Sequence, residues 1–360
     1  MFILNRILFY FNTMAILLLL ASYLAPFITP EISWHIAFLG LAYPAILAVN
    51  MLFILYWIIF LNLKFMFSLA AIIIGINYVP RFIQIGSKKA PQSDTACVQI
   101  LTFNAKYFNV PDPVDKTTED FFFEKIDKIN PDLLAFQEMS SDNTLKNNVY
   151  SRLQKKYNHF HKGNIRVVKG TWVNNNIAIL SRFPLIESGI VEHDPTSGNY
   201  TIYADFTIDR DTLRLITTHL QSIGIQEEEY QAVEKLKEEF DSLEISQYRR
   251  IAGKIKRAFM LRALQADQIR DFIAKSPHKV ILTGDFNDSP TSYAYRTIRG
   301  EMKDAFMEAG VGLGRTYVGP MPSLRIDYIM GDPSFEFYNY YAKSFSFSDH
   351  KMVSCTVKLR

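Results

Sequence analysis

Cysteine is nearly absent: the chain has two in 360 residues, Cys97 and Cys355. That is too few for a disulfide framework, and no paired Cys/His spacing suggests zinc. Both lie in strand-like runs, where a buried small hydrophobe is favoured over a disulfide. There is no GxxxxGK[ST] loop and no GxSxG elbow, which argues against nucleotide-driven phosphoryl transfer and serine-hydrolase chemistry. Internal repeats and low-complexity tracts are missing as well. With 49% hydrophobic and 14% aromatic residues, intrinsic disorder and collagen-like repeats are excluded. Charge is scarce in the first quarter, where residues 1–92 hold Arg6, Lys64, Arg81, Lys88 and Lys89 against the single acid Glu31. Residues 93–360 carry 34 bases and 35 acids, so the overall +3 averages two dissimilar parts that meet near residue 90.

No charge interrupts the chain between Arg6 and Glu31, between Glu31 and Lys64, or from Phe65 to Pro80. A hydrocarbon core about 30 Å thick needs roughly 20 apolar residues in a helix. Three membrane spans are predicted, at about 7–27, 35–60 and 65–84, with Pro26 and Pro30 in the first turn and Asn62 and Lys64 in the second. The third needs Arg81 to snorkel to the headgroups. A cleaved signal peptide is disfavoured because further long apolar stretches follow at once. Arg6 and Lys64 fall on one face, so the positive-inside rule and three spans put the C-terminal domain on the non-cytoplasmic side of a multi-pass protein. Arg81, Lys88 and Lys89 count against this orientation, and two spans would reverse it.

From Gln92 onward the pattern changes. Strands are predicted at 97–104, 132–138, 177–181, 201–208, 213–220, 279–286, 325–330, 335–342 and 352–359, with helices near 117–129, 141–155 and 291–299. This reads as one α+β domain with stacked sheets, residues 92–360, behind a membrane anchor and linker, residues 1–91. Residues 225–276 read as long helix, a helical insertion over about 225–260. Its acids come first, from Glu227 to Glu244, and Arg249, Arg250, Lys254, Lys256, Arg257 and Arg262 follow. Tyr248, Ile251, Ile255, Ala258 and Phe259 form an apolar stripe beside that basic face, suited either to packing on the domain or to facing an anionic bilayer.

Polar side chains end several apolar runs: Asn104, Glu138, His219, Asp285 with Asn287, Asp327, and Asp349 with His350. A buried run that ends in an ionisable residue places it at a sheet edge, where loops build sites. Carboxylates and amides without Cys/His pairs suit a hard divalent cation, Mg²⁺ or Mn²⁺, which takes few protein oxygens and shares substrate phosphate oxygens.

LTFNAKY at 101–107, LLAFQE at 133–138, IAILSRFP at 177–184, THLQS at 218–222, GDFNDSP at 284–290, RIDYI at 325–329 and SDH at 348–350 resemble the endonuclease/exonuclease/phosphatase superfamily, in order, over about residues 96–360. The resemblance implies a four-layer αββα sandwich of two packed mixed sheets flanked by helices, with the site at one rim. It implies Glu138 as metal ligand, with Asn104 supporting metal and phosphate and Asp349 in the metal and water network. Asp285 would orient or deprotonate the attacking water, and Asn287 would contact the phosphate. His350, oriented by Asp327, would sit against the scissile phosphate, and His219 would donate to a phosphate oxygen. Whether Asp285 or His350 is the base stays open. Ala105 and Lys106 stand where some nuclease members carry a second acid, so the resemblance does not extend to a second metal site. Asn174, Asn175 and Asn176 replace a usual glycine, a substitution the left-handed tolerance of Asn permits. His219 resembles the deoxyribonuclease, sphingomyelinase and inositol-phosphatase branch.

The expected function is a membrane-anchored, Mg²⁺-dependent phosphoesterase acting on a phosphodiester or phosphomonoester. The expected partners are a bilayer, through residues 1–85, and a lipid headgroup or small phosphorylated substrate. A nuclease is the alternative, less favoured because duplex affinity draws on a basic balance that residues 93–360 lack. A non-catalytic membrane-tethered binding module is the alternative of another class.

Overall fold

The computed structural model describes residues 2–86, 88–89, 97–108, 116–139, 146–163, 166–168, 171–173, 177–191, 199–224, 245–319 and 324–359. The apolar N-terminal stretch forms α1 (Phe2–Ser22), α2 (Pro30–Ile59) and α3 (Phe65–Ile74). Pro30 opens α2, as a residue without an amide proton suits a first helical turn. Helices α1 and α2 are long and apolar enough to cross a membrane. The third predicted span is shorter than expected. Helix α3 has ten residues, a rise of about 15 Å, and gives way at Gly75 to a 3₁₀ turn over Ile76–Arg81 that contains Pro80. A side chain at Gly75 would overlap the Tyr23 ring, so the close approach of α1 sets this end.

The polarity of this bundle is inverted relative to a water-soluble one. Asn12, Asn50, Trp57 and Ser68 are wholly buried. Asn12 Nδ2 donates to Ser68 Oγ (2.6 Å), Ser68 Oγ to Asn50 Oδ1 (3.1 Å) and Trp57 Nε1 to Asn12 Oδ1 (2.8 Å). These bonds tie all three helices in one register. Leu17, Leu52, Ile59 and Phe67 meanwhile point outward.

After β1 (Ile83–Gln84) the chain runs through β2 (Cys97–Asn104), α4 (Lys116–Ile129), β3 (Leu133–Gln137), α5 (Lys146–Lys156), β4 (His159–Lys162), β5 (Arg166–Val168), β6 (Thr171–Val173), β7 (Ala178–Ser181), β8 (Leu185–Val191), β9 (Thr201–Ile208) and β10 (Asp211–His219). There follow α6 (Ile245–Ala274), β11 (Lys279–Asp285), α7 (Tyr293–Arg299), β12 (Lys303–Asp304), α8 (Ala305–Ala309), β13 (Gly312–Leu313), β14 (Asp327–Gly331), β15 (Glu336–Ser344) and β16 (Lys351–Lys358). One six-stranded sheet has the order β15-β16-β2-β3-β7-β4, the other β12-β14-β11-β10-β9-β8. Both are mixed: β2/β3 and β10/β11 pair in parallel and their other neighbours antiparallel.

Alternation along the central strands explains the layers. Ile100, Leu215 and Ile281 enter the core between the sheets, with Leu133, Phe206 and Val353. Their chain neighbours Leu101, Ile216 and Leu282 point the other way. Leu101 joins Phe103 and Phe136 beneath Phe122 and Ile126 of α4 and Leu153 of α5. Ile216 and Leu282 meet Ala266 and Ile269 of α6 and Tyr295 and Ile298 of α7. With both faces covered, each such side chain contributes roughly 1.5–3 kcal/mol. The result is the expected α+β, four-layer αββα sandwich.

Cys355 is fully buried and stands opposite Ile100, not Cys97, so no disulfide joins the two. The predicted helix at 225–276 is helical from Ile245 on, while residues 225–244 and Asn174–176 lie outside the described residues. Arg262 departs from the expected basic face: it is 1% exposed, on the stripe of Ala258, Phe259, Ala266 and Ile269.

Candidate active site

Parallel pairing sends the C-terminal ends of β2 and β3, and of β10 and β11, to one rim. Asn104 lies opposite Gln137 across β2/β3, His219 opposite Asp285 across β10/β11, and Asp285 opposite Asp327 across β11/β14. The two sheets are linked just below this rim by Gln137, whose Nε2 donates to Thr217 Oγ1 across the interlayer (2.8 Å) and to Thr102 Oγ1 (3.2 Å). Beyond the strands the backbone turns sharply. Glu138 (φ 48°), Asn287 (φ 51°) and Lys106 (φ 44°) all adopt the left-handed region, a cost that surrounding contacts must sustain.

Asp285 is the centre. Its carboxylate is fully buried, and Oδ2 lies 3.0 Å from Asn104 Nδ2, 3.7 Å from His219 Nε2 and 3.7 Å from His350 Nε2. Oδ1 accepts the Asn287 backbone N–H at 2.7 Å. Burial pushes the Asp285 carboxyl above the usual carboxylate range, opposed by His350 and reinforced by Asp327. His350 Nδ1 donates to Asp327 at 3.0 and 3.1 Å. Burial alone would discharge His350, but Asp327 and Asp285 outweigh it and hold its pKa up at about 10.

Glu138 and His219 open the site outward. Asn104 Nδ2 also donates to Glu138 Oε1 (3.2 Å), so one amide bridges carboxylates from opposite sheets, while its Oδ1 accepts the Lys106 backbone N–H. His219 Nε2 is 3.6 Å from Glu138 Oε1 and, although that atom is buried, has no hydrogen-bond partner among the described residues. An unmet polar atom between two acids is a place for a ligand. Asn287 Nδ2 donates to Leu220 O (2.9 Å), tying the Asp285 loop to the His219 loop. Asp349 Oδ2 sits at the margin, 2.9 Å from Lys106 Nζ. All eight residues predicted from the sequence therefore lie along one rim.

Asp285, Asp327 and His350 offer ligand atoms within 4.8 Å of one another. The imidazolium of His350 already offsets part of the negative charge of that acidic pair and would repel a second cation. A hard cation fits better on the open side, where the partly exposed Glu138 carboxylate stands beside Asp285 and Asn104. Lys106 pairs with Asp349 at the margin of this space.

Several supporting residues escaped the sequence reading. Arg262 Nη1 donates to Asn287 O (2.6 Å) and its Nε lies 3.0 Å from Asp288 Oδ2, so α6 clamps the loop after Asp285. Gln265 Oε1 accepts the Gln221 N–H beside His219. Their signal was present: both continue the apolar stripe of α6 at helical spacing. Thr316 Oγ1 accepts the Ile326 and Asp327 N–H groups, and Tyr317 sets its ring edge-on to His350 at 5.4 Å. No spacing in the sequence singles these two out.

A family model described as the Endonuclease/Exonuclease/phosphatase family matches residues 101–350, and one described as a domain of unknown function matches residues 5–82. No curated protein matches the sequence. Truncated TDP2 from Caenorhabditis elegans is similar in structure, with 18% identity, 73% of this chain and 98% of that chain covered, and a TM-score of 0.50. An endonuclease/exonuclease/phosphatase from Beutenbergia cavernae DSM 12333 is similar at 17% identity, with 73% and 72% covered and a TM-score of 0.50. Sphingomyelinase C from Streptomyces griseocarneus aligns at 17% identity, with 73% and 99% covered and a TM-score of 0.47.

Proposed function

The chain belongs to the endonuclease/exonuclease/phosphatase family, and on that premise we propose that it is a membrane-anchored, divalent-metal-dependent phosphoesterase that hydrolyses a phosphodiester or phosphomonoester with water. The observation that carries this reading is the surroundings of Asp285 Oδ2: Asn104, His219 and His350 converge on it from both sheets, with Glu138 open beside it.

Asp285, its pKa raised by burial, is the group that orients the water and accepts its proton; a base lifted toward neutral pH is the more effective. His350 is already protonated at neutral pH, which favours Asp285 over it as the base. It presents positive charge to the phosphate, and Asp327 fixes the ring. His219, whose Nε2 has no hydrogen-bond partner among the described residues, donates to a phosphate oxygen. Asn287 contacts the same phosphate while holding two rim loops together. Glu138 would be the principal ligand of Mg²⁺ or Mn²⁺, with Asn104 supporting it and Asp349, paired to Lys106, in the surrounding water network, and the bound ion would supply Lewis-acid charge to the phosphate oxygens.

Residues 1–85 carry the contact with the bilayer, except where Gly40, Arg81 and Ile83–Gln84 meet the domain, and residues 92–360 form the catalytic domain. Support comes from two helices of spanning length and from a bundle with polar groups inside and apolar side chains outside. Lys64 Nζ lies 4.5 Å above the Phe9 ring, so Lys64 and Arg6 share one end, while Arg81 meets the domain at the other. The positive-inside rule then favours a non-cytoplasmic domain. Near-neutral charge over residues 93–360 favours lipid headgroups or small phosphorylated molecules over duplex DNA. The test is turnover by the full chain on vesicles of sphingomyelin or phosphatidylinositol phosphates, on a soluble diester and on DNA. Preference for vesicle substrates supports the reading, preference for DNA favours the nuclease, and inactivity on all leaves a binding module.

A further inference from the structure

The segment that carries Asp285 and Asn287 is gripped from two directions. On one side stands α6, through Arg262 at Asn287 and Asp288. On the other stands the N-terminal bundle. Thr291 Oγ1 donates to Gly40 O of α2 at 2.7 Å, and Arg81 Nη1 donates to Pro290 O at 2.9 Å. A Cβ on Gly40 would lie 2.9 Å from Thr291 O, so only a glycine lets α2 approach this closely.

The contact continues to the other half of the site. The carbonyl of Arg81 accepts Arg325 Nε at 2.9 Å, and Arg325, 2% exposed, pairs with Asp304 at 2.7 Å. Two residues on, Asp327 orients His350. Tyr328 Oη lies within hydrogen-bond reach of both Asp288 O (2.8 Å) and Arg325 O (2.7 Å), its one proton serving either, and so bridges the two loops. A short strand pair, Ile83–Gln84 with Gly312–Leu313, extends the same seam. Such a joint is not a flexible tether.

We propose that the N-terminal helical bundle is a positioning element of the catalytic rim. Gly40 and Arg81 act through Thr291, Pro290 and Arg325 to hold the Asp285 loop in register with Asp327. This rests on the reading of Asp285 as the reacting centre. Bundle and domain form one catalytic unit, so loosening their joint slows turnover even of a soluble substrate that never meets a membrane.

The test uses the full chain in detergent, with Thr291→Val, which deletes the donor while keeping the shape, Arg81→Gln as a second variant, and Thr291→Ser as the conservative control. Amide hydrogen exchange in metal-free protein is expected to quicken by about tenfold or more over residues 286–292 in the first two, with β9 and β10 unchanged. For bis-(p-nitrophenyl) phosphate, kcat is expected to fall on the order of tenfold or more with KM altered less than about threefold, because small misplacements act on the reacting geometry. Thr291→Ser is expected to restore both. Unchanged exchange, or quicker exchange with parental kcat, overturns the proposal. Asp285→Asn runs alongside: full turnover there overturns the site reading and this inference with it, whereas an inactive Asp285→Asn beside parental kcat in both joint variants overturns this inference alone.

Discussion

His350 donates through Nδ1 to both carboxylate oxygens of Asp327, 3.0 and 3.1 Å away, and this bond turns its other ring nitrogen toward the site. Nε2 consequently lies 3.7 Å from Asp285, with the ring charged at neutral pH. The ring is a cation held in place by Asp327 on a rim otherwise rich in acids.

Replacing either central group removes most turnover. In Asp285→Asn and His350→Ala, kcat is expected to fall on the order of 10²- to 10⁴-fold. The unfolding midpoint of Asp285→Asn is expected to stay level or rise, since burial already opposes the charged carboxylate. Steady-state rates and thermal unfolding check both.

The pH profile follows from the same charges. A free imidazole titrates near 6.5, whereas His350 in the folded protein keeps its proton up to about 10. The cation, and the stability it adds, is complete below about pH 6.5 and lost as pH rises through about 10. The alkaline fall of kcat/KM is therefore expected near pH 10, and in Asp327→Asn at least about one unit lower, because an opposite charge has gone. A profile in which Asp327→Asn leaves the limb in place contradicts this.

Metal affinity runs through Glu138. Glu138→Gln is expected to raise the Mg²⁺ concentration for half-maximal rate on the order of tenfold or more, with a matching loss in calorimetric Mn²⁺ titration. An unchanged titration would place the cation elsewhere.

Gly284 explains a letter of the GDFN motif that chemistry does not. Its φ is +131°, and a Cβ there would overlap the Thr218 backbone across the β10/β11 pairing. Gly284→Ala is expected to destabilise the domain by about 1–3 kcal/mol or more and to lower kcat by shifting Asp285. Unfolding and kinetics of this variant read both effects.

The sandwich was legible because its central strands are apolar on both faces and end in polar residues: the runs closing at Asn104, Gln137, His219 and Asp285 each stop at the rim. Strand β8 was not, since Ile186 and Glu187 face solvent and leave no clean alternation. Arg262 was hidden among neighbouring bases, and only its place on the α6 stripe marks it as buried. The short α3 was missed because composition counts apolar residues and not the break that Gly75 and Pro80 impose. The seam of Gly40 with Thr291 joins residues 251 apart in the chain, a pairing that no local pattern encodes.

The most direct measurement is hydrolysis of bis-(p-nitrophenyl) phosphate by the purified full chain in Mg²⁺, in EDTA, and as Asp285→Asn in Mg²⁺. The account predicts rapid release of p-nitrophenolate in the first, none in EDTA, and release slowed on the order of 10²-fold or more in Asp285→Asn. Equal release in EDTA, or by Asp285→Asn, would contradict it.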